Sequence, residues 1–290
     1  MSEVPERMKN KNFPGFPSTS VFVGMPGSGK TNCFMSMLHN PHMWNKFFDS
    51  IYAFGPTIKA DKLYKTIKLD EDKVCVESKE FIKKLTSILD QQTAAVEADP
   101  KSADKILIIF EDMTSFYSKI QNQPEFQRCY TQVRHIKGSS ITMVHKYKAF
   151  NRTCRMSSQH LLIWKCNKTE IDQLYDDFGP TDLTKKDFYD MVRYAHTPTE
   201  ANPKPFFYIN MLQPEEVRFR KGFQEILKLN PMQATYAAMS NRNPRKSIKF
   251  DDVTGTERVK KELLDKRGRS QSPDKERGKK ERKTRSRSPR

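Results

Sequence analysis

One short segment, residues 21–32 (VFVGMPGSGKTN), carries residue types that can hold a polyphosphate. From Gly24 to Thr31 it matches G-x-x-x-x-G-K-[ST], directly after a predicted strand and at the start of a predicted helix. Glycines let backbone N–H groups approach phosphate oxygens, and a helix N-terminus favours negative charge. Lys30 adds a point charge, and the Thr31 hydroxyl can coordinate Mg²⁺. The segment predicts an ATP-binding loop made of Gly24, Met25, Pro26, Gly27, Ser28, Gly29, Lys30, Thr31 and Asn32.

A second segment, ILIIFEDM (residues 106–113), is an apolar run that ends in two adjacent acids. An enzyme with a phosphate-binding loop of this kind needs a second strand ending in carboxylates to complete its metal site. One acid holds Mg²⁺ through water, and the next can orient the water that attacks the γ-phosphorus. If the two acids take these roles in chain order, Glu111 holds the metal and Asp112 orients the attacking water. A shifted register makes Asp112 the metal residue instead, and the sequence leaves both assignments open.

These motifs need a sheet to position them. Short β-rich apolar runs alternate with longer segments of helical periodicity from residue 19 to about residue 230. Several runs are continuously apolar, as expected for strands covered on both faces, and the alternation favours a mainly parallel sheet. The predicted strands are 19–24, 50–54, 73–76, 106–110, 141–145, 161–165 and 206–210. The predicted helices are 31–40, 79–98, 124–136, 169–178 and 183–196.

The resulting domain prediction is an α/β fold, a three-layer P-loop NTPase with a mainly parallel central sheet. We place this domain at residues 18–235, after an N-terminal extension at residues 1–17. Residues 236–290 form a basic, Arg/Ser-rich tail with few apolar residues, so the sequence predicts that the tail is disordered.

Charge and cysteine content narrow the classes of partner. The formal net charge is +17, and residues 266–290 alone hold 12 Lys/Arg against 3 acids. Such a bias favours a polyanionic partner, above all nucleic acid. The tail could serve as a nuclear localisation signal, a nucleic-acid tether or a solubilising end.

The five cysteines show no C-x-x-C spacing, which argues against a zinc site and a disulfide framework. No signal peptide or membrane-length apolar run is evident, which predicts a soluble protein that works inside a cell.

With these residues placed, the chain resembles the poxvirus-type DNA-packaging ATPases of the FtsK–HerA superfamily, which have relatives in large DNA viruses, virophages and Polinton-like elements. The resemblance covers about residues 18–212 and rests on GMPGSGKT, on ILIIFEDM and on the pattern of residues 141–179. It implies an ATP-driven motor that translocates double-stranded DNA into a viral capsid, docked at a portal-like vertex. It also implies a homo-oligomeric ring, expected to be a hexamer, with each ATP site between two subunits.

The same resemblance assigns roles to single residues. His145 matches a polar sensor residue at the end of a strand that should lie between the two nucleotide-binding strands. An imidazole there can hydrogen-bond a γ-phosphate or the attacking water. Arg155, in TCRMSS, matches the family's arginine finger, which reaches the ATP of a neighbouring subunit, and Arg152 is a nearby alternative.

The loop HKYKAFNR (residues 145–152), called the basic loop below, mixes cations with two aromatic residues. Lys146, Lys148 and Arg152 can neutralise DNA phosphates. Tyr147 and Phe150 can either stack on bases or pack beneath the loop, and the sequence does not separate these options.

Two other functions remain open at this point. A different ring ATPase on nucleic acid, such as a helicase or a DNA-mobilising pump, would use the same nucleotide motifs. An Arg/Ser-tailed RNA-binding adaptor could bind nucleotide without turnover. The packaging hypothesis places the protein in the host cell at the site of virion assembly, and the basic tail would permit the nucleus.

Overall fold

The structure is a computed structural model that describes residues 5, 8, 12–67, 69–111 and 117–228. The described strands are β1 (Thr19–Val23), β2 (Ser50–Phe54), β3 (Val74–Cys75), β4 (Ile106–Phe110), β5 (Gly138–Val144), β6 (His160–Ile163), β7 (Phe207–Asn210), β8 (Phe219–Lys221) and β9 (Glu225–Ile226). The helices are α1 (Lys30–His39), α2 (Ser78–Ala98), α3 (Tyr117–Ile120), α4 (Pro124–Thr131), α5 (Arg152–Ser157), α6 (Lys168–Phe178), α7 (Lys185–Ala195) and α8 (Glu215–Arg218).

The strands form one sheet in the order β3-β2-β4-β5-β1-β6-β7-β8-β9. The first six strands in this order are parallel, and β7, β8 and β9 extend the sheet in antiparallel pairs. The predicted α/β fold with a mainly parallel sheet is therefore confirmed. Strand β5 lies between β1 and β4, as the resemblance implied.

Side chains of the central strands alternate between two hydrophobic clusters, one on each face of the sheet. In β4, Ile108 and Phe110 join the cluster under α2, α4, α6 and α7, whereas Ile109 joins the cluster under α1. This burial on both faces explains the continuously apolar strand sequences. No helix in the described part of the chain is long and apolar enough to cross a membrane.

Several elements differ from the sequence prediction, among them the short helices α3, α5 and α8, which were not predicted. The predicted helix at residues 124–136 ends as an α-helix at Thr131 and continues as a 3₁₀ turn at Val133–Ile136. Strands β8 and β9 were not predicted, because runs of three and two residues are too short to show an alternating pattern.

Part of the predicted N-terminal extension packs on the domain. Phe13 is buried, and the rings of Phe16 and Phe47 meet edge to face with their centroids 5.0 Å apart. The Trp44 indole donates a hydrogen bond to the Pro14 carbonyl at 3.0 Å. Packing is therefore continuous across the predicted boundary at residue 18. The predicted disorder of residues 236–290 lies outside the described residues.

Candidate nucleotide site and basic loop

The loop between β1 and α1 takes its shape from glycine. Gly27 and Gly29 have φ of 72° and 110°, in the left-handed region that side chains with a Cβ rarely adopt. A Cβ at Gly24 would lie 2.7 Å from the Ser28 hydroxyl oxygen and 2.9 Å from the Trp164 Cβ, so this position has no space for a side chain. The motif residues thus fold locally into a tight turn that leads into the N-terminus of α1.

Lys30 lies inside this turn. Its side chain is buried, and its ammonium donates to the carbonyl oxygens of Gly24 at 2.7 Å and Met25 at 3.2 Å. The His145 Nδ1 lies 3.4 Å from the Lys30 nitrogen and 3.1 Å from the Gly24 oxygen. The predicted sensor and the predicted phosphate-binding lysine are therefore neighbours, as parallel strands ending at one edge of a sheet require.

Glu111 follows β4 and meets the start of α1. The Thr31 hydroxyl donates to Glu111 Oε1 at 2.8 Å, and the Tyr64 hydroxyl donates to Glu111 Oε2. A hydroxyl and a carboxylate side by side are oxygen ligands of the type that Mg²⁺ prefers. This donor set fits the predicted magnesium site, with Thr31 and Glu111 as the residues that would hold the ion.

The electrostatic environment of Glu111 is mixed. Burial raises the pKa of its carboxyl above the usual value, and the charge of Asp61 acts in the same direction. The hydrogen bonds from Tyr64 and Thr31 and the charge of Lys30 lower this pKa. A cation at the site would favour the ionised carboxylate in the same way as Lys30 does.

The other predicted nucleotide-binding residues vary in exposure. Met25, Pro26, Gly27 and Asn32 are exposed, which leaves their surfaces open to a ligand. Ser28 is half-buried, and its backbone N–H donates to the Met25 carbonyl oxygen at 3.1 Å. Asp112 lies outside the described residues, so its assignment as the water-orienting acid stays a prediction.

Arg155, the residue that the resemblance gave as the arginine finger, is buried, and its role as a finger stays a prediction. Its side chain is buried within its own domain, and its Nη1 donates to the carbonyl oxygens of Lys148 at 3.1 Å and Phe150 at 3.2 Å. Its Nε forms an ion pair with Asp177 Oδ2 at 3.2 Å, although the two groups are not aligned as a hydrogen bond. These bonds brace the basic loop. Arg152 is exposed at the start of α5.

The basic loop exposes its cationic side chains and buries its two aromatic side chains. Lys146, Lys148 and Arg152 are exposed, whereas Tyr147 and Phe150 are buried. The two aromatic residues therefore pack beneath the loop, which settles the alternative that the sequence left open.

Contacts with α6 hold the basic loop in place. The Tyr147 hydroxyl donates to Asp177 at 2.8 Å, and the Lys148 backbone N–H donates to Glu170 at 2.9 Å. The start of α5 is capped by Asn151, whose side chain accepts from the Cys154 N–H. The exposed cations are thus carried by a braced segment.

Three further residues shape the site and carried no signal in the sequence. Gly55, at the end of β2, faces the Glu111 backbone so closely that a Cβ would lie 2.2 Å from the Glu111 carbonyl oxygen. The Lys204 ammonium donates to the Gly27 carbonyl at 2.7 Å, so the segment before β7 contacts the phosphate-binding turn. Tyr64 reaches Glu111 from the connection between β2 and β3. Each contact joins distant parts of the chain, which local patterns do not report.

Comparison with known proteins gives the family. The family model described as "Poxvirus A32 protein" matches residues 6–200, more than half of the chain. The chain belongs to the poxvirus A32 protein family. The predicted resemblance to the poxvirus-type packaging ATPases is thereby confirmed. The poxvirus A32 match begins before the predicted start of the domain, in agreement with the packing of residues 12–17. No curated protein matches the sequence.

Solved structures of other proteins are similar to this chain in fold. EssC (ATPases 2 and 3) from Geobacillus thermodenitrificans matches with a TM-score of 0.50 and 9% identity, over 88% of this chain and 45% of that one. The genome-packaging NTPase B204 from Sulfolobus turreted icosahedral virus 2, in complex with AMP, matches with a TM-score of 0.48 and 12% identity, over 73% of this chain and 98% of that one.

Proposed function

We propose that this packaging ATPase uses ATP hydrolysis at the Gly24–Thr31 loop to translocate double-stranded DNA into a viral capsid. The observation that supports it best is the pairing of Thr31 with Glu111 next to the buried Lys30. These residues follow β1 and β4, and His145 follows β5 between them. Strand ends thus bring together a phosphate-binding turn, a carboxylate and a polar side chain.

In the proposed reaction Lys30 and the N-terminus of α1 bind the phosphates of ATP. Thr31 and Glu111 would hold Mg²⁺, which neutralises charge on the β- and γ-phosphate oxygens. Asp112 would accept a proton from the attacking water. The alternative is a shifted register in which Asp112 holds the metal. His145, next to Lys30, would hydrogen-bond the γ-phosphate or the water.

The basic loop is the proposed contact with DNA. Lys146 and Lys148 follow the sensor His145 directly and are exposed. Their charges would neutralise phosphates without reading sequence, as a packaging motor requires. Because the loop is braced by Arg155 and Asp177, a shift of His145 on hydrolysis would move the cations together with the loop.

Assembly into a ring completes this proposal. Arg152, exposed at the start of α5, takes the place of Arg155 as the candidate finger for a neighbouring subunit. We propose a hexamer that engages the capsid vertex inside the infected host cell. That the tail acts as a nuclear localisation signal is a separate hypothesis, since the tail lies outside the described residues.

Steady-state ATP hydrolysis with and without linear duplex DNA, at two salt concentrations, tests this function. We expect stimulation by blunt duplex DNA that weakens at the higher salt concentration, because phosphate contacts release counterions. Lys30→Ala should abolish hydrolysis in both conditions. Absence of stimulation by any nucleic acid would contradict a DNA motor.

A strand-displacement measurement separates the remaining alternatives. A packaging motor should displace a third strand from an intact duplex, whereas a helicase should unwind a forked duplex. An RNA adaptor should retain RNA binding after Lys30→Ala, because it does not need turnover.

A further inference from the structure

The Glu111 carboxylate is held from two sides by two different parts of the chain. The Thr31 hydroxyl, at the start of α1, donates to Oε1 at 2.8 Å. The Tyr64 hydroxyl donates to Oε2 from a 3₁₀ turn, Tyr64–Ile67, between β2 and β3. Because each oxygen has its own donor, the plane of the carboxylate is set before any ligand arrives.

Tyr64 is itself firmly placed. Its side chain is buried, and its ring lies 6.3 Å from the ring of Phe34 in α1, measured between centroids. The turn that carries it is held by hydrogen bonds from the Leu63 N–H to Asp61 and from the Thr66 N–H to the Leu63 carbonyl.

We propose that Tyr64 is a positioning residue of the magnesium site, which keeps the Glu111 carboxylate oriented towards the Thr31 hydroxyl. The inference rests on the proposed function, since it takes Glu111 as a residue that holds Mg²⁺. Groups that hydrogen-bond metal-holding carboxylates typically change metal affinity by about 10- to 100-fold when they are removed. A purely structural Tyr64 would instead support packing alone and leave the metal requirement unchanged.

Tyr64→Phe removes the hydroxyl and keeps the ring. The matched control is Tyr208→Phe, which removes an equally buried hydroxyl that lies 2.8 Å from His160 Nδ1, in the strand pair β6–β7. Binding of a fluorescent ATP analogue is measured in EDTA and then as a function of Mg²⁺ concentration. For Tyr64→Phe we expect affinity within twofold of wild type in EDTA, and a Mg²⁺ concentration for half-maximal tight binding about tenfold higher. Tyr208→Phe should match wild type in both measurements.

An unchanged Mg²⁺ requirement in Tyr64→Phe would overturn the proposal. A second variant, Tyr64→His, keeps an N–H donor on a shorter side chain and should require an intermediate Mg²⁺ concentration. Failure of both variants to fold, with Tyr208→Phe folded, would show that the Tyr64 hydroxyl supports the fold itself and would equally overturn the proposal. If wild type binds no nucleotide, the proposed function itself fails, whereas wild-type behaviour of Tyr64→Phe removes only this inference.

Discussion

At the residue scale, the site depends on what each polar side chain is already bonded to. Glu111 accepts from Thr31 and Tyr64, and Lys30 donates to Gly24 and Met25. Buried polar groups that lack such partners would cost free energy, so these bonds keep the site assembled without ligand. By the same criterion the described role of Arg155 is to brace the basic loop, since its bonds lie within its own domain, and its role as an arginine finger stays a prediction.

The two adjacent acids can be separated by substitution. Glu111→Gln should weaken Mg²⁺-dependent nucleotide binding, because it removes a charge next to Thr31. Asp112→Asn should leave binding of Mg-ATP close to wild type and lower kcat by roughly 10²–10⁴-fold, the usual contribution of a general base. Nucleotide binding and single-turnover hydrolysis of both variants check this division. Equal loss of binding in both would contradict it.

At the element scale, the basic loop and α6 act as one unit. Asp177 of α6 accepts a hydrogen bond from the Tyr147 hydroxyl and forms an ion pair with Arg155. All three side chains are buried. Loop cations held in this way keep a constant position relative to His145, from which the loop begins.

Arg155 and Arg152 provide a direct comparison. Arg155→Ala should lower the free energy of unfolding by about 3–5 kcal/mol, because it leaves Asp177 buried without its ion pair. Arg152→Ala, at an exposed position, should change it by less than about 0.5 kcal/mol while reducing ATP hydrolysis of the assembled protein. Urea unfolding and ATPase assays are compared for both. A stable but inactive Arg155→Ala would restore the original finger assignment.

The lysines of the basic loop should carry part of the DNA affinity. Replacing both Lys146 and Lys148 with Gln should weaken duplex binding and reduce the slope of log affinity against log salt by about 2, since each phosphate contact contributes roughly 0.9. Lys83→Gln, at an exposed position on α2, is the control and should not change the slope. Duplex binding measured over a salt series decides the matter, and an unchanged slope in the double variant would place the DNA contact elsewhere.

At the scale of the whole molecule, the order of the sheet brings the nucleotide motifs together. Sequence patterns predicted a mainly parallel sheet, because several strands such as β4 are continuously apolar, and they predicted the Gly24–Thr31 turn, which is a local motif. The position of β5 between β1 and β4 was implied by the family resemblance. The patterns could not predict Tyr64 or Lys204, since these contacts span 47 and 177 residues. They also could not report the burial of Arg155, the finger candidate that the resemblance gave, because this burial depends on Asp177, on a different helix.

The basic tail offers a test at the same scale. Deletion of residues 266–290 removes 12 Lys/Arg and 3 acids, and should leave basal ATPase activity and thermal stability within error of wild type. Duplex affinity at low salt should fall, with a smaller salt slope. If affinity and slope are unchanged, the tail is no tether for DNA.

The reversed direction of β7 has a mechanical consequence for the phosphate-binding turn. Because β7 runs against β6, the residues that precede it, rather than those that follow it, lie at the edge where β1 ends. There the Lys204 side chain holds the Gly27 carbonyl, while its own carbonyl accepts from the Trp164 indole. A movement of Gly27 therefore requires one of two changes: either its hydrogen bond with Lys204 breaks, or the segment that leads into β7 moves together with it.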